Sequence, residues 1–474
     1  MLSSADAVEE VRNLRQIHDS ERRHLDEIRR FWKGRQPLAT VIPQDVPDQV
    51  KRLARIARVN ICPIIVDSLA QNTFVDGFRS RALPESLDAQ LSDPIWKAWQ
   101  ANKMDARQTG LHRSTFAYRA AYALVLPGDP YPVITTFSPR TLTAVYGDDP
   151  DWPMWALERG GDGLWKLYDE EAVYFVSEET KVSYGRPEQV FTFVEARQYD
   201  GDTGGVVPVV RYLDEHDLDE GDEVEDESGA HRPTGGQIAP MMSLQDQIDL
   251  TTFNLLVAQW YTAFKQRYVI GWVPGSEREA LRMGASRLMF FEDPASDADV
   301  QGGQGIKVGE FAQTDLSGYL DSREALLKYA ATLSQTPVHE LVGELVNLSA
   351  EALAAAENGH ERKVDERKTL LGESHEQMLR LVGRLMGEKV EEDAEVVWRD
   401  TSARTFAATV DGLGKLATML GVPAQELWTR IPGVTQQDVQ AWQAAAEQGG
   451  AFAQLQALLE KQSQVPVPAP ASAA

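Results

Sequence analysis

The chain has 474 residues, 43% of them hydrophobic and 25% charged, which suits a folded protein of roughly three domain-sized units. Its formal net charge of −25 repels phosphate, which excludes a sequence-reading nucleic-acid binder working by counterion release but still lets a repelled polymer slide past. The single cysteine, Cys62, excludes an intramolecular disulfide and a cysteine-based zinc site, and its neighbours Ile61 and Pro63 predict an inert, buried thiol.

The N-terminal stretch MLSSADAVEEVRNL is acidic and polar, which predicts no secretory leader. From about Ala5 to Trp32, Val8, Val11, Leu14, Ile17, Leu25, Ile28, Phe31 and Trp32 keep helical spacing, ended by Gly34 and Pro37. Arg22, Arg23, Arg29 and Arg30 make this helix locally basic. Asp48–Phe78 predicts a short basic helix, a break at Pro63 and a second helix ending before Asp76-Gly77. Gly110–Leu126, rich in Ala and aromatics, reads as helical or mixed.

The middle changes character. Tyr131–Phe137, Thr141–Tyr146, Leu164–Tyr168, Val173–Val176, Val190–Tyr199 and Val207–Leu213 are β-branched and aromatic runs between Gly, Pro and Asp turns. They predict a mainly antiparallel β region inserted in a helical protein. In Asp214–Glu227 ten of fourteen residues are acidic, a pattern expected of a solvated, partly disordered loop; the spacing fits no EF-hand calcium loop.

After Pro240 a helix is predicted to about Arg267, with Asp246 and Asp249 near its start and Lys265 and Arg267 near its end, as the helix dipole prefers. Phe253, Leu256, Val257, Trp260, Tyr261 and Phe264 fall on one apolar face, which packs inside the chain or against a neighbouring subunit. The charge-free run Leu250–Phe264 has 15 residues, short of the roughly 20 that span a bilayer. Residues Tyr268–Gln313 predict a small mixed excursion with strands at YVIGWV and RLMFFE, and a helix returns over about Asp315–Leu333. Two helices flanking such an excursion make a stalk with a tip.

A Pro-marked, mostly uncharged loop follows, LSQTPVHELVGELVNLSAEALAAAE over Leu333–Glu357 with the next helix start. Pro337 lacks an N–H donor and pushes Thr336 out of the helical region, so the returning helix should stop there. Ser349 is a good N-cap for the next helix, with Glu351 in its first turn. No proline occurs from Ser349 to about Lys389, which permits roughly 40 helical residues, about 60 Å. Gly359, Gly372, Gly383 and Gly387 in this helix predict a bend or close packing. Helices are then expected at about Thr405–Leu420, closed by Gly421, at Ala424–Arg430, and after Thr435 with Asp438 three residues on; the Pro/Ala-rich end should be disordered or extended.

Nothing in the chain argues for catalysis. His339-Glu340-Leu341-Val342-Gly343 begins like a zinc-protease helix, but Gly343 stands where the second ligand must be, and His375-Glu376 fails in the same way. The clusters Gly201–Gly205 and Gly302–Gly305 lack the Lys-Ser/Thr of a phosphate loop and open no helix. There is no serine nucleophile elbow. No metal and no cofactor are expected.

The order of these elements resembles the portal proteins of tailed bacteriophages, especially those of actinobacterial siphoviruses. Besides SQTPVHELVGELVNLSAEALAAAE, the resemblance rests on RFWKGRQPL, LARIARVNICPIIVDSLAQNTFVDGFR, SPRTLTAVYGDDP, GGVVPVVRYL, IAPMMSLQDQIDLTTFNLLVAQWYTAFKQRYVIG, WRDTSARTFAATVDGLGKLATMLGVP and IPGVTQQDV, and it spans nearly the whole chain. It implies an α+β, mainly helical portal fold in a ring, usually dodecameric, at one capsid vertex of the virion, assembled in the host cytoplasm without contact to a membrane. Double-stranded DNA would pass through its channel during packaging and ejection. The terminase packaging motor, the major capsid protein and a head-completion or adaptor protein would be its partners.

Mapped onto this chain, residues 1–239 are the N-terminal helices and β-containing wing, with the acidic loop at 214–227. Residues 240–267 and 314–334 are stem helices around a clip at 268–313. Residues 335–348 are the tunnel loop, 349–400 the long bent helix and its return to the wing, 401–461 a helical crown and 462–474 a disordered tail. The resemblance makes Gln335, Thr336, Pro337, Val338, His339, Glu340, Leu341, Val342, Glu344 and Asn347 the DNA-facing loop residues, of which His339, taken alone, reads first as a loop or packing residue rather than a sensor. Another capsid-associated structural protein, an adaptor or scaffold, is the alternative; the β-rich insert and the 11 tryptophans argue for a packed, permanent part instead.

Overall fold

A computed structural model describes residues 1–40, 47–79, 93–183, 186–215, 236–262, 315–343, 350–399 and 406–428, the short strands at 224–225, 231–232, 267–270, 288–291 and 307–310, and a few single positions between 401 and 446. The fold is α+β. The first helix, Ser4–Trp32, is capped by Ser3, whose Oγ accepts from the Asp6 N–H at 3.2 Å. Its inward stripe serves two cores. Ala7, Val11 and Leu14 lie on the wide sheet with Trp165, Leu167 and Tyr174, whereas Leu25, Ile28 and Phe31 enter the main core.

The β region is antiparallel, as its alternation predicts. Strands β4 (Leu142–Tyr146), β5 (Pro153–Arg159), β6 (Leu164–Tyr168), β7 (Ala172–Ser183) and β8 (Arg186–Gln198) form a meander in chain order, with Leu157 opposite Leu167 and Leu167 opposite Tyr174. A second sheet places β2 (Ala120–Leu126) between β3 (Val133–Phe137) and β9 (Val209–Leu213). A third ladder pairs β1 (Val75–Arg79) with β15 (Glu395–Trp398), closing the chain across its length. The main core gathers Trp96 and Trp99, stacked at 5.2 Å, with Phe116, Tyr212, Met378 and Val382.

Several local expectations are corrected. The break expected at Pro63 falls just before it, at 57–61, and Pro63 sits in the first turn of the second helix, Cys62–Asn72, where its missing N–H has no intrahelical partner to lose. Gly110–Leu126 divides into the end of helix Met104–Tyr118 and strand β2, with Arg119 at φ +77° between them. Helix Pro94–Ala101 and strands β1, β5 and β15 had no clear pattern in the sequence, being short or, in β5, opened by proline. The acidic run is not wholly a solvated loop, because Asp214 is fully buried. Within and after that run, β10 (Val224–Glu225) pairs with β11 (His231–Arg232).

The outgoing stalk helix runs Met242–Thr262 after a 3₁₀ turn at Ala239–Met241, and the returning helix runs Ser317–Ser334. The outgoing helix was expected to reach about Arg267, but Arg267 opens strand β12 (Arg267–Ile270); Phe264 and Lys265 lie outside the described residues. In the tip β12 is flanked by β13 (Leu288–Phe291), parallel, and β14 (Lys307–Glu310), antiparallel. The long helix spans Ala350–Met386, with Gly387 in the left-handed conformation just past its end. Close packing accounts for one of its glycines: a Cβ at Gly383 would collide with Val390, whereas one at Gly372 would make only ordinary contact with Val396 at 3.6 Å. Beyond β15 come helices Phe406–Met419 and Ala424–Leu427; Ser349, Thr435, Asp438 and residues 447–474 lie outside the described residues.

Candidate functional site

The stalk is rooted in the body by an apolar cluster and a polar one. Leu244 and Ile248 from the start of the outgoing helix meet Leu327 and Ala330 from the end of the returning helix, over Ile61 and Ile65. That pairing of start with end makes the two helices antiparallel. Beside it the buried Asp249 carboxylate accepts from the Val59 N–H at 3.0 Å and from Gln36 and Gln245 at 2.8 Å each. Gln245 in turn accepts from the Ile61 N–H at 3.0 Å. A buried carboxylate is tolerable because three donors replace its water. Burial still pushes the Asp249 carboxyl above its ordinary value, although those donors and Arg58 pull it down.

At this root the outgoing helix turns toward its own chain a different face from the aromatic one read in the sequence. The inward face of the outgoing helix is Leu244, Gln245, Ile248, Asp249, Thr252 and Leu255. Phe253, Leu256, Val257 and Trp260 are half-buried and Tyr261 is 46% exposed, while Phe264 lies outside the described residues. From Leu256 to Thr262, and from Ser317 to Leu326 on the returning helix, every described side chain is half-buried or exposed. Sequence reading missed a second stripe on the returning helix. Tyr319, Leu326, Tyr329 and Leu333 recur at spacings of seven, three and four residues, with Tyr329 61% and Leu333 65% exposed. That spacing is legible in SGYLDSREALLKYAATLS, where two apolar stripes overlap.

The returning helix ends at Ser334, as Pro337 dictates. Gln335 takes the left-handed conformation at φ +54°, its N–H donates to the Thr332 carbonyl and the Thr336 N–H donates to Ala331 at 3.0 Å, a Schellman-type closure. Thr336 and Pro337 are buried. The segment expected to be loop then holds a single helical turn, Val338–Val342, closed by Gly343 at φ +76°. Val338 is 45% exposed and Glu340 is exposed, His339 is half-buried, and Leu341 and Val342 rest partly buried on the stalk-root cluster. Glu344 and Asn347 lie outside the described residues. No Lys or Arg occurs between Lys328 and Arg362.

The Ser334 and Gln335 carbonyls at the end of the returning helix are left without intrahelical donors, and the long helix supplies them. Lys363 Nζ donates to the Ser334 carbonyl at 2.7 Å and to Gln237 Oε1 at 2.5 Å; His360 Nδ1 donates to the Gln335 carbonyl at 3.1 Å. Gln237 passes the connection on, its Nε2 donating to Asp214 Oδ2 at 2.7 Å, while Arg367 Nε reaches Asp214 Oδ1 at 3.1 Å. All of these side chains are buried. Burial pushes the Asp214 carboxyl up to about 6 against the pull of Arg367, and draws the Lys363 ammonium down to about 8 against the pull of Asp214. Gln237, His360, Lys363 and Arg367 did not stand out in the sequence, and Asp214 did so only as the first residue of the acidic run. The available signal was that 360, 363 and 367 continue the inward stripe of Val364, Leu371 and Met378.

Among the described residues no three His, Cys, Asp or Glu side chains converge as a metal site, and no helix is long and apolar enough to cross a membrane. A family model described as phage portal protein, SPP1 Gp6-like, matches residues 12–450. The chain is 24% identical over 392 residues to the portal protein of Mycobacterium phage D29, covering 78% of this chain and 74% of the relative. It is likewise 24% identical over 402 residues to the portal protein of Mycobacterium phage L5, with the same coverage. Among solved structures it is similar to a chain in the neck of an empty GTA particle, with a TM-score of 0.42 at 13% identity over 80% of this chain and 91% of that one. A chain in the neck of the native GTA particle, computed with C12 symmetry, gives 0.42 at 12% identity over 85% and 96%.

Proposed function

The chain belongs to the SPP1 Gp6-like family of phage portal proteins, and we propose from that premise that it closes into a dodecameric ring at one capsid vertex of the virion. The ring acts without catalysis, as a conduit for double-stranded DNA during packaging and ejection. The observation that carries this reading is the outer half of the stalk, where no described side chain from Leu256 to Thr262 or from Ser317 to Leu326 is buried within its own chain. Apolar surface of this kind, continued by Tyr329 and Leu333, is covered when each stalk packs against the next around a ring.

In this assignment the antiparallel sheets and the helices around them are the wing, and the stalk helices are the stem. The β12–β14 sheet is the clip, which takes the packaging motor and later the head-completion proteins. Residues 335–348 are the tunnel loop and the helices after β15 the crown; the wing faces the major capsid protein. A loop whose flanking stretch carries no Lys or Arg between Lys328 and Arg362 suits the task, because phosphate contacts add salt-sensitive affinity that slows sliding. Val338 and Glu340, exposed on the one-turn helix, are the described loop residues best placed to touch the duplex.

Two measurements test the reading. Electron micrographs of the purified protein should show annular particles with a central hole, and a monomer at every concentration would remove the ring. Deleting Glu340–Leu345 in a phage complementation assay should reduce packaging or DNA retention; normal yields from rings that assemble would take the loop out of the channel.

A further inference from the structure

The loop root is held from the side by a helix distant in sequence, and that hold leads on to the wing. The Lys363 ammonium bridges two acceptors, the Ser334 carbonyl at the loop root and Gln237 Oε1 at the base of the stalk. Gln237 is itself bound to Asp214, the residue that follows wing strand β9, and its backbone N–H donates to the Phe116 carbonyl at 2.7 Å. Resting on the reading of residues 335–348 as the tunnel loop, we propose that Lys363 is a positioning residue that ties the posture of that loop to the wing through Gln237 and Asp214.

A purely structural account of this lysine is less economical. Replacing a buried ion-pair network by apolar residues of equal volume is often neutral or stabilising, so stability alone does not explain an ammonium here. What the ammonium adds is direction. It satisfies a helix-end carbonyl that has no intrahelical donor, at the point where the chain turns from stem into loop. His360, one turn earlier on the same helix, does the same for the Gln335 carbonyl and is braced by Ser68 at 3.1 Å. Besides the backbone closure at Gln335 and Thr336, the loop is held beyond Pro337 by an apolar, weakly directional contact, Leu341 and Val342 resting on the stalk root. Without the polar clamp, the one-turn helix would keep its contact area but lose its fixed orientation.

The test is hydrogen exchange on the full-length assembled protein without DNA, followed by mass spectrometry of peptides covering 331–343. In Lys363→Met the Thr336, Glu340 and Gly343 amides, bonded to Ala331, Pro337 and His339, should exchange about tenfold faster or more. Peptides from β5 to β7 should keep wild-type rates. Gln237→Leu, which cuts the link from the wing side, should act in the same direction, and Lys363→Arg should act less. Unchanged exchange at 331–343 in the folded variants overturns the proposal, as does a rise of equal size throughout the chain. Should Lys363→Met fail to fold, Gln237→Leu decides by the same two criteria. Because no DNA is present, the result is separate from the conduit reading: local loosening with normal packaging keeps the positioning role and removes the conduit role of the loop.

Discussion

Four groups at the centre of the main core admit one arrangement of protons. The Thr73 carbonyl can only accept, so His112 Nδ1, at 2.9 Å, carries a hydrogen. In the neutral ring Nε2 must then accept, from His375 Nε2–H at 2.8 Å, and His375 Nδ1 accepts from the Tyr212 hydroxyl at 3.0 Å. Burial draws His112 down to about 4, and burial together with His112 draws His375 well below its ordinary value. Between pH 6.5 and about 4 the unfolded chain therefore binds protons that the folded chain refuses. This contribution is complete above about pH 6.5 and is lost as the pH falls. Asp214, pushed up to about 6, moves the opposite way, so a comparison of variants is needed to isolate the pair. Between pH 7 and pH 5 the wild type should lose about 2 kcal/mol or more relative to His112→Leu/His375→Leu. Denaturant midpoints at the two pH values check this, and equal pH slopes would remove it. Sequence reading met His375-Glu376 only as a failed zinc motif, because the partner histidine lies 263 residues away. Glu376 instead accepts the Val396 N–H at 3.1 Å.

Element by element, what could be read was what depends on near neighbours. The stop before Pro337, the helix beyond it and the alternating strands are all set within a few residues by backbone sterics and burial period. The inward face of the outgoing stalk helix was not legible in the sequence for a physical reason. Gln245, Asp249 and Thr252 look like a solvent face, but the first two are anchors for residues 59–61 and Gln36, contacts that one sequence does not reveal. The Lys363 network was hidden in the same way, its members lying at positions 214, 237, 334 and 367. Glycines in the long helix were legible as a set but not singly. At Gly359 a Cβ would meet nothing within 4 Å, so Gly359→Ala should stabilise by up to about 1 kcal/mol. At Gly383 the same methyl meets Val390, and Gly383→Ala should lower the thermal midpoint. Calorimetry on the pair distinguishes close packing from a need for helix flexibility, since flexibility would make both substitutions shift the midpoint alike.

At the scale of the whole molecule, each subunit would bring a formal charge of −25 to the proposed ring, where like charges are held close. Closure must then come from apolar contact, for which the stalk offers Tyr319, Tyr329 and Leu333, while long-range repulsion opposes it. Raising the salt concentration shortens the reach of that repulsion, to about 10 Å at 0.1 M, and leaves apolar contact essentially intact. The assembled fraction at fixed protein concentration should therefore rise as salt is raised from about 20 to about 200 mM, read by mass photometry. Tyr329→Glu with Leu333→Glu should abolish assembly across the same range, because it adds charge where the stripe must be covered. If rings instead come apart as salt is added, their contacts are chiefly ionic, and the apolar stripe of the returning helix is not what closes the ring.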